Sequence, residues 1–319
     1  MWRRAVAMSF RSKGLESSMA DYRHDLIFGA FITPTAEPIM HAVDLAIVAD
    51  RAELDFVTFQ DHPYQPSFHD TWTLLSYVAA RTEHVRLSGN VLNLPLRQPA
   101  VLARSVASLD RLSGGRVELG IGAGSFWDAI QAMGGRRLSP GQSVDALEES
   151  IDIMRQIWDT STRGGARVDG MHYQVRGARR GPAPAHDINI WVGAYKPRML
   201  RLVGRKADGV LPSLSYLPGG LTDLDGINAI IDDSAAAAGR DPSAIRRLLN
   251  IAGQFSSTSR GLFNGTPRDW AEQIAAVAVQ YGVSGFFVAA DDAQTIEVFA
   301  REVAPAAREL VAASRGAGV

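Results

Sequence analysis

The chain contains no cysteine, which excludes disulfides, thiolate metal sites and a cysteine nucleophile while leaving the compartment open. No run of about 18 apolar residues occurs, so no segment reads as a membrane span. An excess of charge of one sign is also lacking. Lys and Arg total 33 against 34 Asp and Glu, a net charge of −1, with a pI near 6.7. Nothing in that balance pulls the chain toward nucleic acid or an anionic membrane. There is no GxSxG elbow to present a serine nucleophile. The first apolar run, "LIFGAFITP", has no HxH pair of the kind a barrel metal hydrolase would use. His62, His69 and Asp70 share a loop and Glu37 stands one helical turn before His41, but neither set completes a metal-ligand pattern.

What is present is an ordinary globular composition, 46% hydrophobic and 21% charged over 319 residues, enough for a large core. Residues 1–25 read as a flexible extension without an adequate signal-peptide stretch. Met19 is an alternative start, and the cytoplasm is the expected compartment. From residue 26 an alternation sets in: "LIFGAFI", "LDFVTFQ", "VRLSGNVLNL", "GRVELGIG", "INIWVGA", "ADGVLPSL", "RLLNIAGQF" and "SGFFVAA", each followed by a segment of helical spacing. Short, continuous apolar runs are what strands buried on both faces look like. Eight repeats predict an α/β fold, a single (β/α)8 TIM barrel over 26–319, in preference to a doubly wound open sheet. The stretch 160–187 breaks the rhythm and reads as an insertion before strand 5, partly a hairpin and a candidate lid.

In such a barrel the chemistry belongs at the C-terminal ends of the strands. "FQDHPYQPSFHDTW" puts Asp61 and His62 there, at the end of an apolar strand where ionisable groups must be paired or used. In "LGIGAGSFWDAI" Gly120, Gly122 and Gly124 end the fourth strand, either for close backbone approach to an anionic ligand or for packing alone. Their spacing and context do not make a dinucleotide fingerprint. Asn90 and Asn93 in "SGNVLNLP" are amides in an apolar strand, which need partners from a ligand or a bulge. "WVGAYKP" ends its strand on Gly193, Ala194, Tyr195 and Lys196, suited to a phosphate or simply to a helix start with Pro197 in its first turn. His24, His84, His172 and His186 read as surface or loop residues.

Together "QDHPY", "NVLNLPLRQPAVLARSVASLDRLSGGRVELGIGAG", "IWVGA", "ADGVLPS" and "NGTPRDWAEQIAAVAVQYGVSGFFV" resemble the luciferase-like monooxygenase superfamily, and within it the branch of coenzyme F420-dependent oxidoreductases, in order from about residue 26 to 312. The resemblance implies a barrel that binds F420, or alternatively FMN, at the strand C-termini, commonly as a homodimer, and acts on a small-molecule substrate. It implies that Asp61 and His62 flank the ring, His62 as general acid or base, since its ordinary pKa near 6.5 suits neutral pH, and Asp61 to orient or polarise it. Asn90 and Val91 fall where members carry a bulge, often a non-prolyl cis peptide, that backs the ring. Gly122, Ala123 and Gly124 match the backbone at the cofactor phosphate, and Gly193 and Ala194 a second contact on its tail. Phe31, Trp72, Phe126 and Trp127 are candidate walls. The implied reaction is hydride transfer between F420 and an organic substrate; the alternatives are an FMN-dependent monooxygenase using oxygen and, more distantly, a non-catalytic cofactor-binding protein. In one departure, Ser125 stands where F420-dependent sugar-phosphate dehydrogenases carry a glutamate, which argues against glucose-6-phosphate as substrate.

Overall fold

Eight apolar runs become eight parallel strands: β1 (Ile27–Ile32), β2 (Phe56–Phe59), β3 (Arg86–Gly89), β4 (Leu119–Gly122), β5 (Ile190–Val192), β6 (Gly209–Val210), β7 (Arg246–Ile251) and β8 (Val283–Ala289). The computed structural model describes residues 21–316. The sheet runs β3-β2-β1-β8-β7-β6-β5-β4 and closes on itself where Leu87 N–H donates to Arg116 O (2.7 Å) and Glu118 N–H to Leu87 O (2.9 Å). The expected third strand is in two pieces. At Asn90–Val91, a cis peptide, the chain leaves β2 and re-enters the sheet as Leu92–Asn93, paired with Ile121 and Gly122 of β4. The result is an α/β barrel in which every backbone edge finds a neighbour.

The helices that follow the strands carry their start signals in the sequence. These include α1 (His41–Arg51), α2 (Thr71–Ala79), α3 (Pro99–Leu112), α4 (Trp127–Ala132), α5 (Pro140–Trp158), α6 (Pro197–Lys206), α7 (Asp223–Ala237) and α8 (Pro267–Tyr281). Ser139 with Gln142 and Thr266 with Asp269 form reciprocal capping boxes ahead of α5 and α8, each with proline in the first turn, satisfying N–H groups the helix cannot. The single helix expected at the C-terminus is α9 (Ala293–Val298) and α10 (Ala304–Gly316) joined by a π turn over Phe299–Val303. That turn carries Phe299 inward, where it meets Phe28 edge-on at 5.7 Å.

The core has two parts. Phe56, Trp191, Leu211, Leu248 and Phe287 fill the barrel interior, with Phe56 5.2 Å from Trp191 and 6.0 Å from Phe287. The larger cluster lies between strands and helices. At roughly 1.5–3 kcal/mol per large apolar side chain, the interior plug holds the strands apart at a fixed radius and forms the floor on which the site rests.

Two expectations need correction. Residues 21–25 are not loose: Tyr22 OH donates to Asp232 Oδ2 at 2.6 Å, Asp21 accepts Arg315 Nε and Nη2 at 2.9 and 2.8 Å, and the Arg247 guanidinium stacks 4.1 Å above the Tyr22 ring. The rest of the expected extension, with Met19, lies outside the described residues. The insertion does form a hairpin, Ala166–Asp169 with Gln174–Ala178, but it is no lid. Glu149 of α5 accepts the N–H groups of Met171, His172 and Tyr173 at 2.8–2.9 Å, pinning the tip to the outside of the barrel. His186 lies in a loop, as expected, and has partners there. It sits 3.0 Å from Asp110, beside the Arg86–Glu118 pair at the N-terminal end of the barrel.

Candidate active site

The opposite, C-terminal end opens into a cavity of about 1140 Å³. Its floor is polar. Asn90 Nδ2 donates to Asn250 Oδ1 (2.7 Å) and Asn250 Nδ2 to Asn90 Oδ1 (2.9 Å). Asn90 Nδ2 also reaches Thr58 Oγ1 (3.2 Å), and Asn250 Nδ2 reaches Ser213 Oγ (3.0 Å). This paired-amide bridge joins β3 to β7 and satisfies amides that burial would otherwise penalise. Above it Val91 presents an apolar face, packed on the barrel plug.

Asp61, Asn93 and Arg97 form the second element. The Asp61 side chain is fully buried, and Arg97 is 16% exposed. Asp61 accepts Arg97 Nε and Nη2, both at 2.8 Å, and Asn93 N–H, also at 2.8 Å. Arg97 Nη2 continues to Asp70 at 3.1 Å. Burial works against the Arg97 charge, but the hydrogen bonds and charges of Asp61 and Asp70 prevail and raise its pKa. The resemblance gives Asp61 the task of orienting or polarising His62, and of the two the geometry leaves polarising. The Asp61 oxygens are occupied by the arginine fork and the Asn93 N–H, because a buried carboxylate needs a cation and the strand end supplies one. Asp61 acts on His62 only by its charge.

His62 is free to face the cavity. Its Nδ1 is 2.6 Å from Tyr64 OH. Burial lowers the His62 pKa, with the Asp61 charge opposing, which favours the neutral imidazole. The Tyr64 phenol is pushed up to about 12, by burial and then by the same carboxylate.

All nine sequence-chosen positions line this one cavity: Asp61, His62, Asn90, Val91, Gly122, Ala123, Gly124, Gly193 and Ala194. The glycines serve packing as well as any ligand. A Cβ on Gly122 would lie 2.7 Å from Val91 Cγ2, and Gly124, at φ +96°, would meet Pro95 at 2.7 Å. Phe31, Phe126 and Trp127 line the cavity as expected. Trp72 does not; it packs into the shell between helices and sheet. Arg97, Asn250, Tyr64 and Ser213 were missed. Asn250 carried the same signal as Asn90, an amide in the apolar run "LLNIAG". Arg97 was legible only once a buried acid asked for a cation.

The dimensions and surfaces suit a flat heterocycle with an anionic tail. The cavity is large enough for one, Val91 offers a face, the backbone is bare from Gly122 to Gly124, and Lys196 and Arg198 stand at the β5 side. Among the described residues no group of His, Asp and Glu could hold a metal ion.

The F420-dependent glucose-6-phosphate dehydrogenase of Nocardia farcinica is 29% identical over 272 residues, covering 81% of this chain and 78% of that protein. The solved structure of an F420-dependent secondary alcohol dehydrogenase in complex with an F420-acetone adduct aligns with a TM-score of 0.75 at 18% identity, over 89% of this chain and 99% of that one. The oxygenating constituent of 3,6-diketocamphane monooxygenase from Pseudomonas putida, solved with FMN, gives 0.71 at 20% identity over 88% and 98%. At those identities the two structures speak for the fold alone. The family model for luciferase-like monooxygenases matches residues 26–260, from just before β1 through all the strand ends that build the cavity except that of β8, and the chain therefore belongs to the luciferase-like monooxygenase family.

Proposed function

We propose that the protein is an F420-dependent oxidoreductase that moves a hydride between the deazaflavin and a small organic substrate. The observation that carries this reading is the convergence, in one cavity, of neutral His62 with the apolar face of Val91 and the bare backbone of Gly122–Gly124. F420 supplies the hydride chemistry when bound. Asn90 and Val91 would back its ring, Gly122, Ala123 and Gly124 its phosphate, and Gly193 and Ala194 its tail. His62 would hold or take the proton that accompanies the hydride, and the Asp61–Arg97 pair would fix the loop carrying it. The F420-dependent relatives support the cofactor.

Ser125 and its surroundings bear on the substrate. The rim is aromatic: Phe126, which follows Ser125, is 54% and Tyr216 70% exposed, and Arg198, the arginine that lines the cavity, is paired with Asp145. Such a rim favours an uncharged ketone or alcohol over a sugar phosphate. The reading also takes the protein as a cytoplasmic homodimer, supported by exposed Tyr77 on α2 and Val101 and Leu112 on α3; light scattering tests the stoichiometry. The second reading is an FMN-dependent monooxygenase, which the match to the luciferase-like monooxygenase family model supports.

Parallel titrations of the purified protein with F420 and FMN, followed by anaerobic mixing of reduced F420 with ketones, decide between them. Micromolar or tighter F420 binding with ketone-dependent F420 oxidation is expected. FMN binding with F420 ignored overturns the reading in favour of the monooxygenase, and F420 binding without turnover on any substrate favours the cofactor-binding protein.

A further inference from the structure

His62 and Tyr64, two residues apart in "DHPY", meet side chain to side chain at the cavity wall. Tyr64 OH lies 2.6 Å from Nδ1, with the rings edge-on at 5.4 Å and 68°. Phe126 closes against both, 5.3 Å from His62 and 5.9 Å from Tyr64. The imidazole is thereby held in orientation by one hydrogen bond and two aromatic edges. Among the described residues, Nε2 has no hydrogen-bond partner.

The direction of the hydrogen bond follows from the groups. A neutral imidazole has one nitrogen that accepts and one that donates. Its lone-pair nitrogen is a far better acceptor than a phenol oxygen, and a phenol is a far better donor than a neutral imidazole N–H. Asn93 lowers the Tyr64 pKa, as a side chain donating to the phenol oxygen does, and its own Oδ1 is buried with no partner, so the phenol hydrogen is not spent there. Tyr64 therefore donates to Nδ1, and the proton of the neutral ring is left on Nε2.

Building on the reading above, we propose that Tyr64 is a positioning residue that locks His62 in the Nε2–H tautomer, so that the cavity-facing nitrogen is a hydrogen-bond donor to a carbonyl oxygen. In reduction of a ketone by the reduced deazaflavin, the carbon gains the hydride and the carbonyl π pair moves to oxygen. The new O–H bond takes the Nε2 proton, the Tyr64 proton passes to Nδ1, and the phenolate left behind is reprotonated by water. The same chain run backwards removes the proton from an alcohol. Pro63 between the two residues limits the backbone freedom of the pair.

The first test needs no cofactor. Long-range ¹⁵N–¹H spectra of the protein alone at pH 8, with His62→Gln used for assignment, read the tautomer directly. A pyrrole-type shift for Nε2 with a pyridine-type shift for Nδ1 is expected, giving way to tautomer-averaged shifts in Tyr64→Phe. A protonated Nδ1 in the wild type, or an unchanged tautomer in Tyr64→Phe, overturns the proposal. In the loaded enzyme, Tyr64→Phe should lower kcat for ketone reduction by roughly 10- to 100-fold, a part of what a general acid contributes, with KM little changed. A change confined to KM contradicts it. If the wild type turns over no ketone with F420, the functional reading fails while the spectrum still decides the tautomer.

Discussion

Replacing Arg97 with methionine keeps most of the stem volume but removes the cation that, among the described residues, alone touches a fully buried carboxylate. At 2.8 Å, and with an effective dielectric of about 20, the attraction between the two charges is on the order of 6 kcal/mol. Desolvation of both groups offsets much of it in the native protein, so the pair itself adds little net stability. The variant does not return to that break-even point, because Asp61 stays buried between the Asn93 N–H and the barrel without its partner. Breaking such a pair costs about 3–5 kcal/mol, and Arg97→Met should lower the melting temperature by on the order of 10 °C. Arg97→Lys keeps the charge but loses the planar fork that reaches Asp61 twice and Asp70 once, and should fall between. Asp61→Leu combined with Arg97→Met removes both charges and should recover part of the loss, the orphaned Asn93 N–H accounting for the remainder. Urea unfolding followed by tryptophan fluorescence and circular dichroism measures all three. A loss below about 1 kcal/mol for Arg97→Met, outside the range for a broken buried pair, or a double variant worse than the single one, would refute the claim that Asp61 is held by Arg97.

Asn250→Leu strands the Asn90 amide, and an unmet buried polar group costs about 1–3 kcal/mol; melting curves should show that loss together with weaker F420 binding, and an unchanged melt would remove the amide bridge from the account. Gly122→Ala sets a methyl 2.7 Å from Val91 Cγ2, and overpacking of about 1–3 kcal/mol should push Val91 into the cavity and weaken F420 several-fold, whereas Gly193→Ala, at 3.1 Å from the same atom, should do less; equal affinities in titration would return both glycines to a neutral role. His62 should titrate below 6.5 by proton NMR, its pKa being lowered by burial. Its folded form then binds fewer protons than the unfolded chain near pH 6, so the stability it contributes is complete above the unfolded value and declines as pH falls; a midpoint above 6.5 contradicts this.

The barrel was legible because eight apolar runs of one kind recur at even spacing and only closure buries both faces of each. The break in the third strand was not, since "VRLSGNVLNL" reads as one continuous run and the cis bond leaves no trace in hydropathy. The residues around the cavity were found where a polar group interrupts an apolar strand end, as with Asp61 and Asn90. Their partners were harder. Asn250 lies 160 residues from Asn90 and Arg97 lies 36 from Asp61, and spacing carries no information about which distant group a buried one will meet. The insertion was misplaced for a related reason: a hairpin can be read from "DGMHYQV", but its docking onto Glu149 cannot.

The clamp of Asp21 on Arg315 and of Tyr22 on Asp232 has a practical side. It gathers both ends of the described chain at the N-terminal rim of the barrel, on the face away from the cavity. A surface tether or fusion partner attached beside Asp21 or Arg315 therefore leaves the mouth turned toward solution, and immobilised protein should admit its ligands as freely as the dissolved form.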